Sequence, residues 1–328
     1  MRTASCTAYG PPSGIAVVET EDLEPGPGEV LVQVHAAAVN YPDVLVAADR
    51  YQISAPLPFT PGSEFAGVVL AHGPGVSGPP VGSPIAGAVF TGAFAEQVVA
   101  PVAALRPIPD GLDMVHAAAF HVTYQTAYHA LVTVGGAAPG EWVAVLGAAG
   151  GVGSATVDVA TRLGLRVVAA ASSPERLAVA RKLGAEHGID YKREELKVRI
   201  RELTGGDGVH LVIDPVGGDH AEAAFRALRR HGRFVTVGYA DGRIPRIPLN
   251  LVLLKNATVR GFEARMMREE APQAVVAAQR ALSGLVRDGM RPLVSSVHPL
   301  SDVAAALTAV AERRTTGKVV LDLTDERH

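Results

Sequence analysis

Four glycines, Gly147, Gly150, Gly151 and Gly153, form the cluster in this sequence with the clearest chemical use. They follow an apolar run, 143–146, and precede an amphipathic segment, so the order predicts a strand, a tight turn and a helix. A glycine backbone can approach a ligand closely, and the N–H groups at a helix N-terminus attract anions. The pattern therefore predicts a dinucleotide site that holds a pyrophosphate; a tight βα turn without a ligand is the alternative.

The end of the next predicted strand, 167–171, indicates which dinucleotide is bound. An acidic residue at this strand tip would hydrogen-bond the ribose 2′-hydroxyl of NAD. Here Ser173 and Arg176 follow the strand instead, and hydroxyl and guanidinium groups suit a 2′-phosphate. Glu175 is the second residue of a helix that begins with proline, and we expect it to face away. NADPH is the predicted cofactor; the alternative for Arg176 is a solvated helix charge.

The remaining chain predicts an α/β protein with two domains. Dense prolines and glycines up to about residue 109 favour short strands in a compact β domain. A helix is predicted over 116–131, and from residue 142 strands and helices alternate, which predicts a doubly wound parallel sheet. After Arg265 we expect one long helix towards Asp288. The tail, with strands near 295–297 and 317–321, is expected to return to the first domain.

Composition limits the functional classes. The chain has 328 residues, 48% hydrophobic residues and a formal net charge of −3, which argues against broad affinity for nucleic acid. Its single cysteine, Cys6, excludes an intramolecular disulfide and a zinc site with several thiolates. We found neither a membrane-spanning apolar run of about 20 residues nor a signal-peptide core, and we expect a cytoplasmic protein.

Several motifs in the same order resemble the zinc-free quinone oxidoreductase branch of the medium-chain dehydrogenase/reductase superfamily, the zeta-crystallin-like proteins. The motifs lie at 39–43, 61–67, 124–128, 147–153 and 317–318. The resemblance covers nearly the whole chain. It implies a GroES-like β-rich catalytic domain at 1–120 with 291–328, a Rossmann NADPH-binding domain at 121–290, and an active site in the cleft between them.

Zinc-dependent relatives place a cysteine where Asn40 stands and a histidine where Ser63 stands, and only Glu64 keeps a potential ligand. The sequence therefore predicts no metal. Without a Lewis acid, an alcohol is hard to deprotonate, whereas a quinone or a conjugated enone accepts hydride at carbon more easily.

The resemblance also implies which residues contact the cofactor. Asn40 and Thr126 are expected at the nicotinamide, and Lys318 matches the family's C-terminal Gly-Lys. The other expected contacts are Gly150, Gly151 and Val152 at the pyrophosphate, Ser173, Arg176 and Tyr191 at the 2′-phosphate, and Gly238, Tyr239 and Phe262 along the cofactor and cleft. Simpler alternatives are that Asn40 bonds its own turn, Phe262 lies in the core and Lys318 is a surface charge.

The candidate proton donor is Tyr51. Tyr51 matches a tyrosine that lines the substrate pocket, and that donates the proton in related enoyl-thioester reductases; the alternative is a packing role. It follows Asp49 and Arg50, where relatives usually have a glycine. Tyr41 is a second pocket residue, so Tyr51, Asn40 and Tyr41 are the predicted catalytic group.

The predicted function is NADPH-dependent, zinc-independent reduction of a quinone or an α,β-unsaturated carbonyl. An enoyl-CoA or enoyl-thioester reductase is one alternative, and a non-catalytic NADPH-binding protein with a structural or RNA-binding role is another. Strand 257–262 is expected at the edge of the Rossmann sheet, where an exposed strand can pair with a second copy. We therefore expect a homodimer.

Overall fold

A computed structural model describes residues 1–324. Its internal contacts divide the chain into two compact units. Unit 1 comprises Met1–Val122 and Arg291–His328, and unit 2 comprises Thr123–Met290. Residues 325–328, which belong to the predicted catalytic domain, lie outside the described residues. Each unit is described by itself.

The first segment of unit 1 is mainly β, as its many prolines and glycines predict. Its elements are β1 (Arg2–Ser5), β2 (Ala16–Glu19), β3 (Glu29–Val39), α1 (Tyr41–Ala47), β4 (Glu64–His72), β5 (Pro84–Ala88), β6 (Gln97–Pro101), β7 (Leu105–Pro107) and α2 (Met114–Ala118).

Unit 2 contains the alternating strands and helices that the sequence predicts. Its elements are α3 (His121–Tyr128, which includes the division between the units along the chain), a π-helix (His129–Val134), β8 (Trp142–Leu146), α4 (Gly151–Arg162), β9 (Arg166–Ala171), α5 (Pro174–Lys182), β10 (His187–Asp190), α6 (Leu196–Leu203), β11 (Val209–Asp214), α7 (His220–Arg226), β12 (Leu228–Thr236), α8 (Leu249–Lys255), β13 (Thr258–Gly261), α9 (Ala264–Glu270) and α10 (Pro272–Arg287).

The tail belongs to unit 1 and adds β14 (Val294–Pro299), α11 (Val303–Ala311) and β15 (Lys318–Asp322). The seven-stranded sheet of unit 1 has the order β14-β15-β3-β4-β5-β7, and β6 pairs with β3. Strand β15 lies next to β3, which lies next to β4, so residues distant in sequence meet on neighbouring strands. Gly62 lies just before β4 and has φ +97°, and a Cβ at this position would lie 2.3 Å from the Phe94 ring.

The sheet of unit 2 has six parallel strands in the order β10-β9-β8-β11-β12-β13. This confirms the predicted doubly wound fold. All five residues of β8 are buried, as expected for a strand covered by helices on both faces. The strand order reverses between β8 and β11, and ligands bind at the carboxyl ends of the strands around such a switch point.

Two helix predictions were wrong in detail. The single helix expected from Arg265 to Asp288 is two helices, α9 and α10, because Pro272 has no N–H to donate and disfavours the helical conformation of Ala271, whose φ is −133° and ψ 52°. The helix predicted over 116–131 is split into α2, α3 and the π-helix. In residues 1–324 we find no helix with the length and apolarity needed to cross a bilayer.

Candidate active site and cofactor site

Unit 1 contains a buried polar cluster, formed by Asn40, Asp43, Ser63, Glu64 and Lys318, which we call the Lys318 cluster. Asn40 follows β3, Glu64 begins β4 and Lys318 begins β15, so three adjacent strands bring their side chains together. The Lys318 Nζ donates to Asn40 Oδ1 at 2.5 Å and to Glu64 Oε2 at 3.2 Å. The Asn40 Nδ2 donates to the same carboxylate oxygen at 3.1 Å.

Lys318 is only 3% exposed and Glu64 is fully buried, so this ion pair lies away from solvent. The alternative that Lys318 is a surface charge is therefore wrong. The second oxygen of Glu64 accepts the backbone N–H of Val122 at 2.7 Å. Each charged atom thus has partners, as burial of a charge requires.

Asp43 is the second buried carboxyl group in the cluster. Its Oδ2 accepts the backbone N–H of Asn40 at 2.7 Å, at the start of α1. Burial raises the pKa of Asp43 to about 6, although hydrogen bonds from Ser63 and Asn40 and the charge of Lys318 lower it. The cluster thus contains two carboxyl groups and one cation, and burial brings the pKa of Asp43 closer to neutral pH than that of an exposed aspartate.

The Lys318 cluster does not fit a zinc ion. Zinc takes thiolate, imidazole and carboxylate ligands, and the cluster contains neither a thiolate nor an imidazole. An amide and a hydroxyl stand beside the carboxylate of Glu64, and the carboxyl group of Asp43 already accepts the Asn40 N–H. The Glu64 carboxylate is already bonded to the Lys318 ammonium, whose positive charge would repel a metal cation. Within residues 1–324 there is no group of three or more His, Cys, Asp or Glu side chains that could hold a metal.

The two predicted tyrosines flank α1. Tyr41 is its first residue, and Tyr51 follows its end, with a ring centroid 6.4 Å from that of Phe90. Asp49 has φ +51°, the left-handed conformation for which glycine is favoured and aspartate tolerated. The loop after α1 therefore forms with aspartate at a position that favours glycine. The contact with Phe90 is compatible with both roles considered for Tyr51, so its role as proton donor stays a prediction.

The glycine cluster of unit 2 has the geometry of a ligand cradle. Gly150 is the N-cap of the 12-residue helix α4, and Gly151 and Val152 form its first turn. A Cβ on Gly153 would lie 2.0 Å from the carbonyl oxygen of Gly147, which itself has φ +59°. Only glycine allows this close packing of turn and helix, which leaves the first N–H groups of α4 at the carboxyl end of β8. The site fits a pyrophosphate.

The residues predicted to bind the 2′-phosphate follow β9 and β10. Ser173 is the N-cap of α5, and its Oγ accepts the Arg176 backbone N–H at 3.4 Å. The Ser173 hydroxyl also bonds the Glu175 carboxylate and lowers the pKa of that group. Glu175 therefore turns towards Ser173, and the expectation that it faces away was wrong. Tyr191 directly follows β10, and its ring centroid lies 4.1 Å from that of His220.

The remaining predicted cofactor residues lie further along the same sheet or on α3. Gly238 and Tyr239 follow β12, and Tyr239 is 40% exposed. Phe262 follows β13 and stacks on His129, with centroids 6.0 Å apart. Thr126 is buried in α3. The structure thus brings the predicted residues of unit 2 to the carboxyl ends of five strands and to α3. It also brings Asn40 and Lys318 into contact within unit 1.

Three functional candidates were missed by the sequence reasoning: Asp43, Asp214 and His220. Asp214 ends β11 at the switch point, and its Oδ1 accepts the N–H groups of Val216 and Gly217 at 2.8 Å. Its Oδ2 is buried without a hydrogen-bond partner among the described residues, and burial raises its pKa. An acid at a strand end was a signal that could have identified Asp214; Asp43 and His220 carry no comparable sequence signal.

Comparisons with known proteins agree with both units. The family model described as "Alcohol dehydrogenase GroES-like domain" matches residues 26–110, and "Zinc-binding dehydrogenase" matches residues 151–280. The chain is 38% identical to quinone oxidoreductase-like protein 2 of Bos taurus, over 98% of this chain and 92% of that protein.

Two further similarities bear on function. A crystal structure of the quinone oxidoreductase from Thermus thermophilus, also determined in complex with NADPH, has a TM-score of 0.86 and 36% sequence identity over 98% of this chain and all of that one. A mycocerosic acid synthase-like polyketide synthase of Mycobacterium tuberculosis is 33% identical over 92% of this chain, which corresponds to 14% of that protein.

Proposed function

Because this chain belongs to the zinc-free quinone oxidoreductase branch of the medium-chain dehydrogenase/reductase superfamily, we propose that it is an NADPH-dependent reductase that transfers hydride to a quinone or an α,β-unsaturated carbonyl without a metal ion. The observation that carries the proposal is the buried contact of the Lys318 ammonium with Glu64 and Asn40. The Lys318 ammonium lies beside Asn40 and Glu64, so a positive charge stands where a Lewis-acid metal would need several ligands.

The residues of unit 2 hold the cofactor in this proposal. The first turn of α4, from Gly150 to Val152, binds the pyrophosphate, while Ser173, Arg176 and Tyr191 hold the 2′-phosphate. When bound, the nicotinamide supplies the hydride. Glu175, which bonds Ser173, would compete with a 2′-phosphate for that hydroxyl and must release it when NADPH binds.

The chemistry of the acceptor follows from the residue types in the Lys318 cluster, which offer a metal too few ligands. A quinone or enone is already electron-poor at the carbon that takes hydride, because its C=C bond is conjugated to a carbonyl. The product enolate or quinolate then needs a proton, and a phenol within hydrogen-bond reach can supply it. Tyr51 and Tyr41 are the proposed donors, with Tyr51 first.

A substrate panel tests the reaction class. Oxidation of NADPH is followed with 1,4-naphthoquinone, 9,10-phenanthrenequinone, methyl vinyl ketone and crotonyl-CoA. Turnover of the first three supports the proposal. Silence on all four, with NADPH still bound, would refute it in favour of a non-catalytic NADPH-binding protein.

Reduction of an enoyl thioester is the second candidate. The match to a segment of a mycocerosic acid synthase-like polyketide synthase favours it. A kcat/KM for crotonyl-CoA far above that for the quinones would select this candidate.

The cofactor assignment is tested with a pair of arginine variants on α5. Arg176→Ala should raise the Kd for NADPH by about tenfold or more and leave the Kd for NADH nearly unchanged, because charge-assisted bonds to a phosphate contribute more than about 1.4 kcal/mol. Arg181→Ala, on the exposed part of the same helix, is the matched control. Equal effects of Arg176→Ala on both cofactors would remove the NADPH assignment.

A homodimer through the edge strand of unit 2 belongs to the same proposal. All four residues of β13 are exposed, and Val259 on this strand is 47% exposed. Leu249, Leu253 and Leu254 on α8 are also exposed, so an apolar surface lies beside an open strand edge. Pairing with a second copy would cover both.

Sedimentation velocity tests the dimer. Val259→Lys should shift the protein to monomers, whereas Val198→Lys, at a similarly exposed valine on α6, should not. A wild-type monomer at micromolar concentration contradicts the dimer. A cytoplasmic location also stays a prediction.

A further inference from the structure

We propose that His220 is a specificity-determining residue for the 2′-phosphate end of the cofactor site: it positions Tyr191 and, when protonated, adds a cation that favours NADPH over NADH as the pH falls. The inference rests on the proposed function, since it assumes that NADPH binds at Ser173, Arg176 and Tyr191.

The contact between the two rings is the geometric basis. Tyr191 follows β10 and His220 begins α7, which comes after β11. These strands are not neighbours in the sheet, because β9 and β8 lie between them. The side chains nevertheless meet, with centroids 4.1 Å apart and planes inclined by 38°. Each ring therefore limits the rotamers of the other, and His220 fixes the direction of the Tyr191 phenol.

The charged groups around His220 form a small network. Arg243 contacts Asp219 at 3.0 Å and Asp241 at 2.8 Å. The backbone of Gly218, with φ +64°, passes so near Asp241 that a Cβ would lie 2.4 Å from its Oδ2. The loop after β11 and the loop after β12 are thus held together beside the imidazole.

This environment favours the neutral form of the His220 imidazole. Burial lowers the pKa of His220, Asp241 and Asp219 raise it, and Arg243 lowers it again. Because both carboxylates already pair with Arg243, they do little to stabilise a protonated imidazole against the cost of its burial. A bound 2′-phosphate would change the balance, since it brings close to two negative charges with no cation of its own.

The sign of the effect follows from linkage. If the phosphate stabilises the imidazolium, NADPH binding takes up a proton, and NADPH affinity rises as the pH falls through the pKa of the bound form. NADH has no 2′-phosphate and takes up no such proton. An ion pair between the His220 imidazolium and the 2′-phosphate, near the protein surface, should raise the affinity for NADPH about fivefold or somewhat more.

The test compares wild type with His220→Phe, which keeps an aromatic ring on Tyr191 but cannot be protonated. Kd values for NADPH and NADH are measured by cofactor fluorescence at pH 8.5 and pH 6.0. The ratio of the two variants' NADPH affinities removes the titration of the phosphate itself, because both variants bind the same ligand. When the pH is lowered from 8.5 to 6.0, the NADPH affinity of wild type should rise about fivefold relative to that of His220→Phe. The relative affinity for NADH should not change.

A second variant separates positioning from charge. His220→Ala removes the ring and should weaken NADPH binding at both pH values. Its folding is checked by far-UV circular dichroism, and where it does not fold, the imidazole of His220 in wild type is titrated by NMR instead. NADPH should raise its pKa, and NADH should not.

The outcomes separate the inference from the proposed function. Parallel pH profiles for wild type and His220→Phe, or an NMR titration unchanged by NADPH, overturn the role of His220 while NADPH binding stands. No measurable NADPH binding by wild type at either pH overturns the proposed function itself.

Discussion

The buried carboxyl group of Asp43 makes the stability of unit 1 depend on pH in an unusual direction. Most paired carboxylates have lowered pKa values and stabilise a protein as the pH rises. Asp43 has its pKa raised to about 6 from 3.8 because burial outweighs its hydrogen bonds. The folded state therefore binds this proton more tightly than the unfolded state, and stability falls as the pH rises from about 4 to 6.

The magnitude follows from the two pKa values. The difference between about 6 and 3.8 corresponds to about 3 kcal/mol, at about 1.4 kcal/mol for each pH unit. Replacement by asparagine removes the charge and keeps the shape. Its Oδ1 can still accept the Asn40 N–H, and the Ser63 hydroxyl can reverse to accept from the new amide. Part of this difference already develops by pH 4, so Asp43→Asn should gain about 2–3 kcal/mol of stability relative to wild type between pH 4 and pH 8.

Urea unfolding at pH 4, 5, 6, 7 and 8 measures this difference. Circular dichroism follows both units, whereas fluorescence of Trp142, the sole tryptophan, reports on unit 2 alone. The predicted change should appear as a pH-dependent shift of the circular dichroism transition of Asp43→Asn relative to that of wild type. Asp49→Asn, at an exposed position just after the same helix, is the matched control and should show no such trend.

The result that refutes the reasoning is a constant stability difference between Asp43→Asn and wild type across the whole pH range. That outcome would mean that the carboxyl group titrates alike in the folded and unfolded states, so the hydrogen bonds and Lys318 would fully offset its burial.

Other outcomes follow from the same structure. Lys318→Met leaves the Glu64 carboxylate buried without its cation and should lower the free energy of unfolding by about 3–5 kcal/mol in urea titrations; an unchanged midpoint would contradict the buried pair. Gly153→Ala should lower the free energy of unfolding by about 1–3 kcal/mol or more, because its Cβ would lie 2.0 Å from the Gly147 carbonyl oxygen. Gly10→Ala, whose Cβ would have nothing within 4 Å, should unfold at the wild-type temperature in calorimetry. Dialysis against EDTA should leave NADPH oxidation with the quinones at its original rate, and activity restored only by added zinc would contradict the metal-free proposal.

The fold was largely predictable because its signals are local. The glycine cluster beside an apolar run identified the strand, turn and helix around Gly150, and the alternation of strands and helices identified the parallel sheet. The break between α9 and α10 was missed although Pro272 was visible in the sequence as a residue that disfavours the helical conformation of the residue before it. The π-helix at His129 was missed because a change from i→i+4 to i→i+5 bonding leaves no residue signature.

The site was only half predictable. Lys318 was singled out from its Gly-Lys motif, but its burial and its bond to Asn40 depend on β15 pairing with β3, about 280 residues away in sequence. The orientation of Glu175 towards Ser173 likewise depends on side-chain contacts at the start of α5. Neither follows from spacing.

By itself, the sequence determined where backbone must approach a phosphate, which strand end lacks an acid and which metal ligands are missing, because each depends on residue type at one place in the chain. Only the tertiary structure decided the protonation of Asp43, the partner of Lys318 and the contact of His220 with Tyr191. Charge states and ring contacts are set by burial and by neighbours from distant segments, and those become defined only when β15 pairs with β3 and the loops after β10 and β11 converge.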